Sequence, residues 1–478
     1  MNTFVKTLEV EQNKPRPTTT ENGAKAWDKT GDRVLDYFSR IGALRGNTAE
    51  ACRLFIQAIS ENEELAIRAL LWTRDIRQGA GERKNFREIC TMLSARDVDL
   101  AIRVATRIPD LGRWDDLLVF VDTPVEPYAF GLIKQGLMNG NALCAKWMPR
   151  KGPKAEKLRK YLNLSPKQYR KTLVGLTDVV ETKMCNKEWN KIDFEKLPSV
   201  AQSMYQKAFM RNCESNYRAF LSSLTKGEAK VNAGAIYPHT VIKPLLGRYY
   251  TGRYSSADAQ LANAQWEALP NFVPEDSSVI PMIDTSGSMY CSAGGSSSVQ
   301  CVDVAVGLGA YLSTKNTGAF KDVWLNFSTS PKLNVLKGKT ISEKLRSIDW
   351  NDWGGSTNVD AAFGLILKHA VKHKISQEEM PQTLVIFSDM QFNMAVRGKT
   401  NHKAAKQAFK DAGYKLPKVV YWNLRATGNS PVKASTNNTA LVSGFSPSLM
   451  KNVLNNNLEK YTPLNIMLDV LMDDRYSY

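Results

Sequence analysis

An apolar run, Val279-Ile280-Pro281-Met282-Ile283, stops at Asp284-Thr285-Ser286-Gly287-Ser288. Such a run bounded by turn residues reads as a strand buried on both faces, the kind found in parallel sheets. The pattern around it agrees. Strand candidates at 278–283, 322–328, 383–388 and 418–424 alternate with helix candidates at 299–315, 359–374 and 401–412. Strand–helix alternation demands a parallel, doubly wound sheet with helices on both faces. In such sheets ligands bind beyond the carboxyl ends of the strands. Asp284 falls at one such end, and Asp389, after Leu384-Val385-Ile386-Phe387-Ser388, falls at another.

The chemistry at these ends is hard oxygen. Asp284, Ser286 and Ser288 are each two residues apart, so a carboxylate and two hydroxyls can face one point beyond the strand tip. Gly354-Gly355-Ser356-Thr357-Asn358 is a glycine-rich loop that adds the hydroxyl of Thr357, and Asp389 adds a second carboxylate. A magnesium-type cation takes oxygen ligands of this sort and keeps waters or a partner's oxygen in its shell. The plainer reading is a turn in which Ser286 or Ser288 caps a helix.

The three-part set resembles the metal-ion-dependent adhesion site of von Willebrand factor A domains. That resemblance implies a divalent cation, Mg2+ or another, held by Asp284, Ser286, Ser288, Thr357 and Asp389. It also implies that a partner protein's acidic side chain can complete the shell.

From about 30 to 250 the apolar spacing is helical, as in Leu35, Phe38, Ile41 and Leu44, then Leu54, Phe55, Ala58 and Ile59. Short breakers at Gly46-Asn47-Thr48, Gly79-Ala80-Gly81, Pro109-Asp110 and Pro124 divide these runs. An antiparallel helical array follows, with no strict repeat period. The expected organisation is a flexible polar tail at 1–24, a helical domain at 25–251 and a connector at 252–276. The α/β domain then covers 277–444, with a helical extension at 445–478 that packs back on the first domain.

Three dense motifs mark the helical part. They are Arg74-Asp75-Ile76-Arg77-Gln78-Gly79-Ala80-Gly81-Glu82-Arg83-Lys84, Leu111-Gly112-Arg113-Trp114-Asp115-Asp116-Leu117, and Tyr237-Pro238-His239-Thr240-Val241-Ile242-Lys243. Asp75, Asp115 and Asp116 can pair with arginines and fix helix orientation, while Arg77, Arg83 and Arg113 are alternatively RNA contacts. Together with Asn22-Gly23-Ala24-Lys25-Ala26-Trp27 and the adhesion-type motif, these stretches resemble the Ro/TROVE-module family, in its microbial and viral branch. The resemblance implies HEAT-like helical repeats followed by a von Willebrand A domain. It implies binding of single-stranded RNA ends and structured small RNA, with His239 in one of the shared motifs among the contacts. At about 230 residues, the helical half is short for a full ring of the family.

Charge supports an anionic partner independently. The chain of 478 residues carries a formal net charge of +17. A balance this basic favours polyanions. It is densest where Lys146, Arg150, Lys151, Lys154, Lys157, Arg159, Lys160, Lys167, Arg170 and Lys171 crowd together with Glu156 as the only acid. Trp147, Tyr161 and Tyr169 are interleaved. Cations bind phosphates and aromatic faces stack on unpaired bases. The opposing reading is a solvated helix face.

Other classes fit poorly. No apolar run approaches the roughly 20 residues of a membrane span, and the first residues lack an apolar signal core. Seven cysteines without a CxxC, and only four histidines, suit a cytoplasmic protein with reduced thiols better than a zinc enzyme. Two-metal nuclease chemistry needs more carboxylates than Asp284 and Asp389 supply. The expectation is therefore a monomeric, non-catalytic RNA-binding protein, with a metal-dependent protein-interaction module lacking RNA function as the alternative.

Overall fold

The computed structural model describes residues 7, 11–177, 179–246, 254–295, 299–351, 353–395, 399–455 and 460–478. Two layers of organisation are visible: a series of helices from Arg33 to Glu267, then a six-stranded sheet flanked by helices. No described helix is long and apolar enough to cross a membrane.

The sheet contains β3 (Val279–Asp284), β4 (Val323–Phe327), β5 (Lys332–Val335), β6 (Thr383–Ser388), β7 (Lys418–Asn423) and β8 (Thr439–Ser443). Its order is β5-β4-β3-β6-β7-β8. All neighbours run parallel except β5, which pairs antiparallel with β4. Every residue of β3, β6 and β8 is buried, as expected of strands covered on both faces. The helices Cys301–Lys315, Val359–His373 and Asn401–Asp411 fall where the apolar spacing predicts them. From β3 the chain builds outward to β4, then returns across β3 to lay down β6, β7 and β8. The switch of direction lies between β3 and β6, which places Asp284 and Asp389 at the crevice where such sheets bind ligands.

Two strands escape the sequence pattern. β5 is a polar edge ribbon, Lys-Leu-Asn-Val, whose residues are exposed or half-buried. β8 carries only two large apolar residues among Thr, Ala and Ser.

Helices and sheet share one core. Leu35, Phe38, Trp72 and Ile108 from the helical series join Val304, Trp422, Val442 and Met467 in a single buried cluster. The helical series meets the α/β part at both of its ends. At the first, the helix Arg33–Ile41 ends at Gly42, where an added Cβ would lie 2.5 Å from the Ser443 carbonyl oxygen of β8. At the second, the helix Pro238–Leu246 crosses Cys301–Lys315, where a Cβ added at Gly307 would lie 2.6 Å from the His239 backbone. A smaller separate core holds Phe194, Phe209, Tyr217 and Leu261.

Two segments differ from expectation. Residues 11–24 are not a free tail. β1 (Pro17–Thr19) pairs antiparallel with β2 (Lys25–Trp27). The Thr20 hydroxyl donates to the Phe392 carbonyl at 2.7 Å, and Ala24 is buried in the sheet's second core. The polar composition of this stretch hides hydrogen bonds made to partners nearly 400 residues away. The remainder of the proposed tail, 1–6 and 8–10, lies outside the described residues.

The connector is also structured. Ser256–Glu267 is a helix with a Ser255–Asp258 capping box, and Leu261 and Trp266 are buried. Its Ala-, Asn- and Gln-rich faces conceal the amphipathic signal. Residues 252 and 253 of the connector lie outside the described residues.

The extension is built in pieces, with 3-10 turns at Pro447–Leu449 and Asp474–Tyr476 and short helices at Met450–Val453 and Pro463–Leu471, and its Arg475 and Tyr476 reach Asp75 of the helical series. Pro463 starts its helix, capped by Thr462, because a missing amide hydrogen is harmless in the first turn. Residues 456–459 of the extension lie outside the described residues.

Candidate cation site and basic surfaces

Three loops converge beyond β3 and β6. The first leaves β3 at Asp284. The Thr285 amide and hydroxyl both donate to the Phe327 carbonyl, at 2.9 and 3.1 Å, tying this loop to the end of β4. The second contains Gly354 and Gly355, at φ 112° and 75°, a backbone that side chains with a Cβ rarely adopt. The Gly354 amide donates to the Thr285 carbonyl at 2.7 Å, and the Gly355 carbonyl accepts from the Gly287 amide at 3.1 Å. That ladder carries Thr357 to the first loop. The third loop follows Asp389, and Asn393 exchanges hydrogen bonds with the Thr357 backbone.

The five residues read from the sequence are thereby gathered. Thr357 Oγ1 donates to Ser286 Oγ at 3.0 Å, and Ser286 Oγ lies 3.2 Å from Ser288 Oγ. Asp284 accepts from the Ser286 amide at 3.0 Å and from the Ser388 hydroxyl at 2.5 Å. Asp284, Ser286, Thr357 and Asp389 are buried, whereas Ser288 is half-buried and Gly287 exposed. Ser388 was not among the sequence candidates, although its place directly before Asp389 at a strand end offered the signal.

The electrostatics are those of an under-compensated acidic pair. Burial, then the charge of Asp389, pushes the Asp284 carboxyl well above the usual carboxylate range. Burial likewise raises Asp389, offset in part by the Gln391 amide, the Ser288 hydroxyl and Arg425. One Asp389 oxygen, Oδ2, is buried without a hydrogen-bond donor, and the nearest cation, Arg425 Nη1, stands 3.7 Å from it. Buried carboxylate oxygens are seldom left without a donor. Among the described residues no three His, Cys, Asp or Glu side chains cluster as a metal group. The donors here are two carboxylates and three hydroxyls, a set that fits one hard divalent cation and not zinc.

The docked arm borders this site. The Glu21 amide donates to Gln391 Oε1 and the Asn22 side chain to the Gln391 carbonyl, at 2.7 and 2.5 Å. Glu21 also faces Arg425 at 3.5 Å. Neither Glu21 nor Arg425 carries a local motif that could have flagged it.

The basic stretch divides once partners are known. Lys157 pairs with Asp122 and Glu126, Lys160 with Glu156, and Lys146 with Glu181. Lys154 donates to the Leu118 carbonyl and Arg159 to the Leu164 carbonyl. Arg150, Lys151, Lys167, Arg170 and Lys171 are exposed and have no acceptor among the described residues. The Tyr169 hydroxyl donates to the Pro149 carbonyl at 2.9 Å, holding the helix Pro166–Leu176 against the loop that bears Arg150 and Lys151. Tyr169 is therefore a packing residue, not a stacking platform. Trp147 is covered by the Arg113 guanidinium at 3.6 Å, leaving Tyr161 as the exposed ring of the three.

A second basic surface lies between the halves. Arg45, Arg74, Arg83, Lys84 and Arg113 line an open cavity of about 540 Å³, with Glu82 the only acid and Gly294 contributed by the α/β part. Arg113 is already held by Asp115, and Arg74 by Asp116. Arg83 and Lys84 have no acceptor among the described residues. Partial burial, then Arg113 and Arg87, lowers the Arg83 guanidinium, and the nearby Asp115 and Asp116 offset this only in part. Arg45 and Lys84 were missed from the sequence because nothing local distinguishes them. Arg77 is exposed and apart from this cavity's lining.

His239 is corrected. It is 5% exposed, stacked on Tyr237, edge-on to Phe445 and pressed on Gly307. Burial drives its imidazole down to about 3, so it sits as a neutral packing group.

Comparison with known proteins places this geometry. Residues 278–467 match a family described as a domain of unknown function (DUF7788), and residues 136–278 match another, DUF2828. The chain is 32% identical to the uncharacterized protein L728 of Acanthamoeba polyphaga mimivirus, over 95% of this chain and 86% of that one. The chain belongs to the L728 family. Its two matched regions meet at residue 278, immediately before β3, so the helix Ser256–Glu267 goes with the helical region. A similarity to the Ro (RSR) protein of Deinococcus radiodurans covers 90% of this chain and 92% of that one, at 12% identity and a TM-score of 0.36. That score is too low to carry functional weight.

Proposed function

We propose that this protein binds RNA in the manner of the Ro type without cutting it, and that its strand-tip site holds a magnesium-like cation. The observation that carries the RNA reading is the set of uncompensated cations. Arg150, Lys151, Lys167, Arg170 and Lys171 on one surface, and Arg83 with Lys84 in the cavity, face solvent with no protein acceptor among the described residues. Charges left unpaired in a chain of net charge +17 suit a polyanion. Single-stranded ends fit the cavity, and structured small RNA fits the outer surface. If about five phosphates are neutralised, the logarithm of affinity for a single-stranded oligoribonucleotide falls against log salt with a slope near −3.5. Filter binding across a salt series checks this; a flat response overturns the reading.

For the cation, Asp284, Ser286, Ser288, Thr357 and Asp389 supply the oxygens, and the donor-free Asp389 oxygen supports the assignment. Bound there, the ion would supply positive charge for a partner's oxygen. The chain's own residues position it and neutralise it, and no hydrolytic role is assigned to them. Magnesium at about a hundredfold excess over Kd stabilises the fold by about 2.7 kcal/mol. Thermal melting of the wild type should shift upward accordingly, and Asp284→Ala should abolish the shift. Equal shifts in both proteins would remove the cation from this site.

A further inference from the structure

The thiols of Cys291 and Cys301 lie 3.6 Å apart, and each is free, as are the other five cysteines. Their backbones are already joined. Ser292 and Gln300 form an antiparallel bridge, the Ala293 amide donates to the Val299 carbonyl at 2.8 Å, and the Cys301 amide donates to the Cys291 carbonyl at 3.1 Å. Cys291 and Cys301 are thus the next facing pair in the same antiparallel register. The bond from the Cys301 amide to the Cys291 carbonyl holds the two backbones side by side, which is what brings the sulfurs to 3.6 Å. Forming the bond brings the sulfurs from 3.6 Å to about 2.0 Å.

Access is asymmetric. Cys301 is fully buried at the start of its helix, its thiol against the Leu424 carbonyl at 3.6 Å, whereas Cys291 is partly exposed. An oxidant meets Cys291 first, and Cys301 waits behind it. We infer that Cys291 and Cys301 form a peroxide-responsive thiol pair that closes to a disulfide, with Cys291 the attacked sulfur and Cys301 the resolving one.

The chemistry balances with a hydroperoxide as oxidant. The Cys291 sulfur attacks one peroxide oxygen; an S–O bond forms, the O–O bond breaks, and the leaving hydroxide takes the thiol proton as water. The Cys301 sulfur then attacks the Cys291 sulfur. The S–S bond forms, the S–O bond breaks, and the departing hydroxide takes the Cys301 proton. Two thiols lose two electrons, and hydrogen peroxide becomes two waters.

The bond would clamp a segment placed between both candidate sites. The Cys291 amide donates to the Ser288 carbonyl at 3.2 Å, on the cation loop. Gly294, at φ 61°, enters the cavity wall so tightly that an added Cβ would lie 2.5 Å from the Arg45 Cβ. The inference stands on the thiol geometry alone and does not depend on RNA binding.

Full-length protein treated with a few equivalents of hydrogen peroxide, alkylated and digested, should yield the Cys291–Cys301 linked peptide in more than about half of the chains, reversed by dithiothreitol. Cys301→Ala, checked for folding by circular dichroism, should instead accumulate a Cys291 sulfenic acid that a cyclic dione captures. Wild-type protein whose Cys291 proceeds to sulfinic acid while Cys301 stays a thiol would overturn the inference. So would a linked peptide that forms equally in urea, since folded geometry would then play no part.

Discussion

Replacing Asp116 with alanine is expected to cost about 3–5 kcal/mol of stability, the loss that follows when one partner leaves a buried ion pair. Asp116 is fully buried and receives Arg74 Nε at 2.7 Å, Arg87 Nε at 2.6 Å and the Arg113 amide at 2.9 Å. Arg74 is itself 4% exposed, so without Asp116 its guanidinium is left charged in the interior. Gly112 adds a constraint, for a Cβ there would meet the Asp116 carboxylate at 2.8 Å and Arg74 at 3.1 Å. The node joins the end of the helix Glu63–Arg74, the helix Lys84–Arg96 and the turn at Arg113. Urea unfolding followed by circular dichroism measures the effect. A loss below about 1 kcal/mol would place the pair among those of surface worth. The double variant Arg74→Met, Asp116→Leu should recover part of the loss, because well-packed apolar residues often replace buried charge at little cost.

The second large effect concerns RNA. Reversing Arg150, Lys151, Lys167, Arg170 and Lys171 to glutamate should weaken oligoribonucleotide binding by about 100-fold or more near physiological salt, and flatten the salt dependence. Reversing Lys157 and Lys160 should do far less. Lys157 already serves Asp122 and Glu126, and Lys160 serves Glu156. The comparison separates free charge from mere charge density. If both sets weaken binding equally, availability is not what matters and the surface assignment falls. All seven side chains are exposed or half-buried, so folding should survive either change.

Much of this was legible in the chain. Asp284 and Asp389 stand at strand ends because the apolar runs before them can only be buried strands, and a doubly wound sheet presents those ends to one crevice. Asp75, Asp115 and Asp116 were readable as arginine partners because the motifs that hold them mix both charges. The Arg475 guanidinium indeed grips Asp75 at 2.6 and 2.9 Å, and Arg87 and Arg113 share Asp115. β5 and β8 were hidden, since neither combines length with an apolar run.

What the linear pattern determined by itself is therefore local: where strands stop, which oxygens stand two residues apart, and where glycine permits a turn. Tertiary structure alone decided which charges are free, which aromatic is core, and that the polar residues 17–24 are tied to the loop beyond Asp389. The reason is range. Periodicity reports a residue's own turn of backbone, whereas the acid that silences Lys157 is Asp122, the glycine that admits His239 is Gly307, and the carbonyl that holds Thr20 belongs to Phe392.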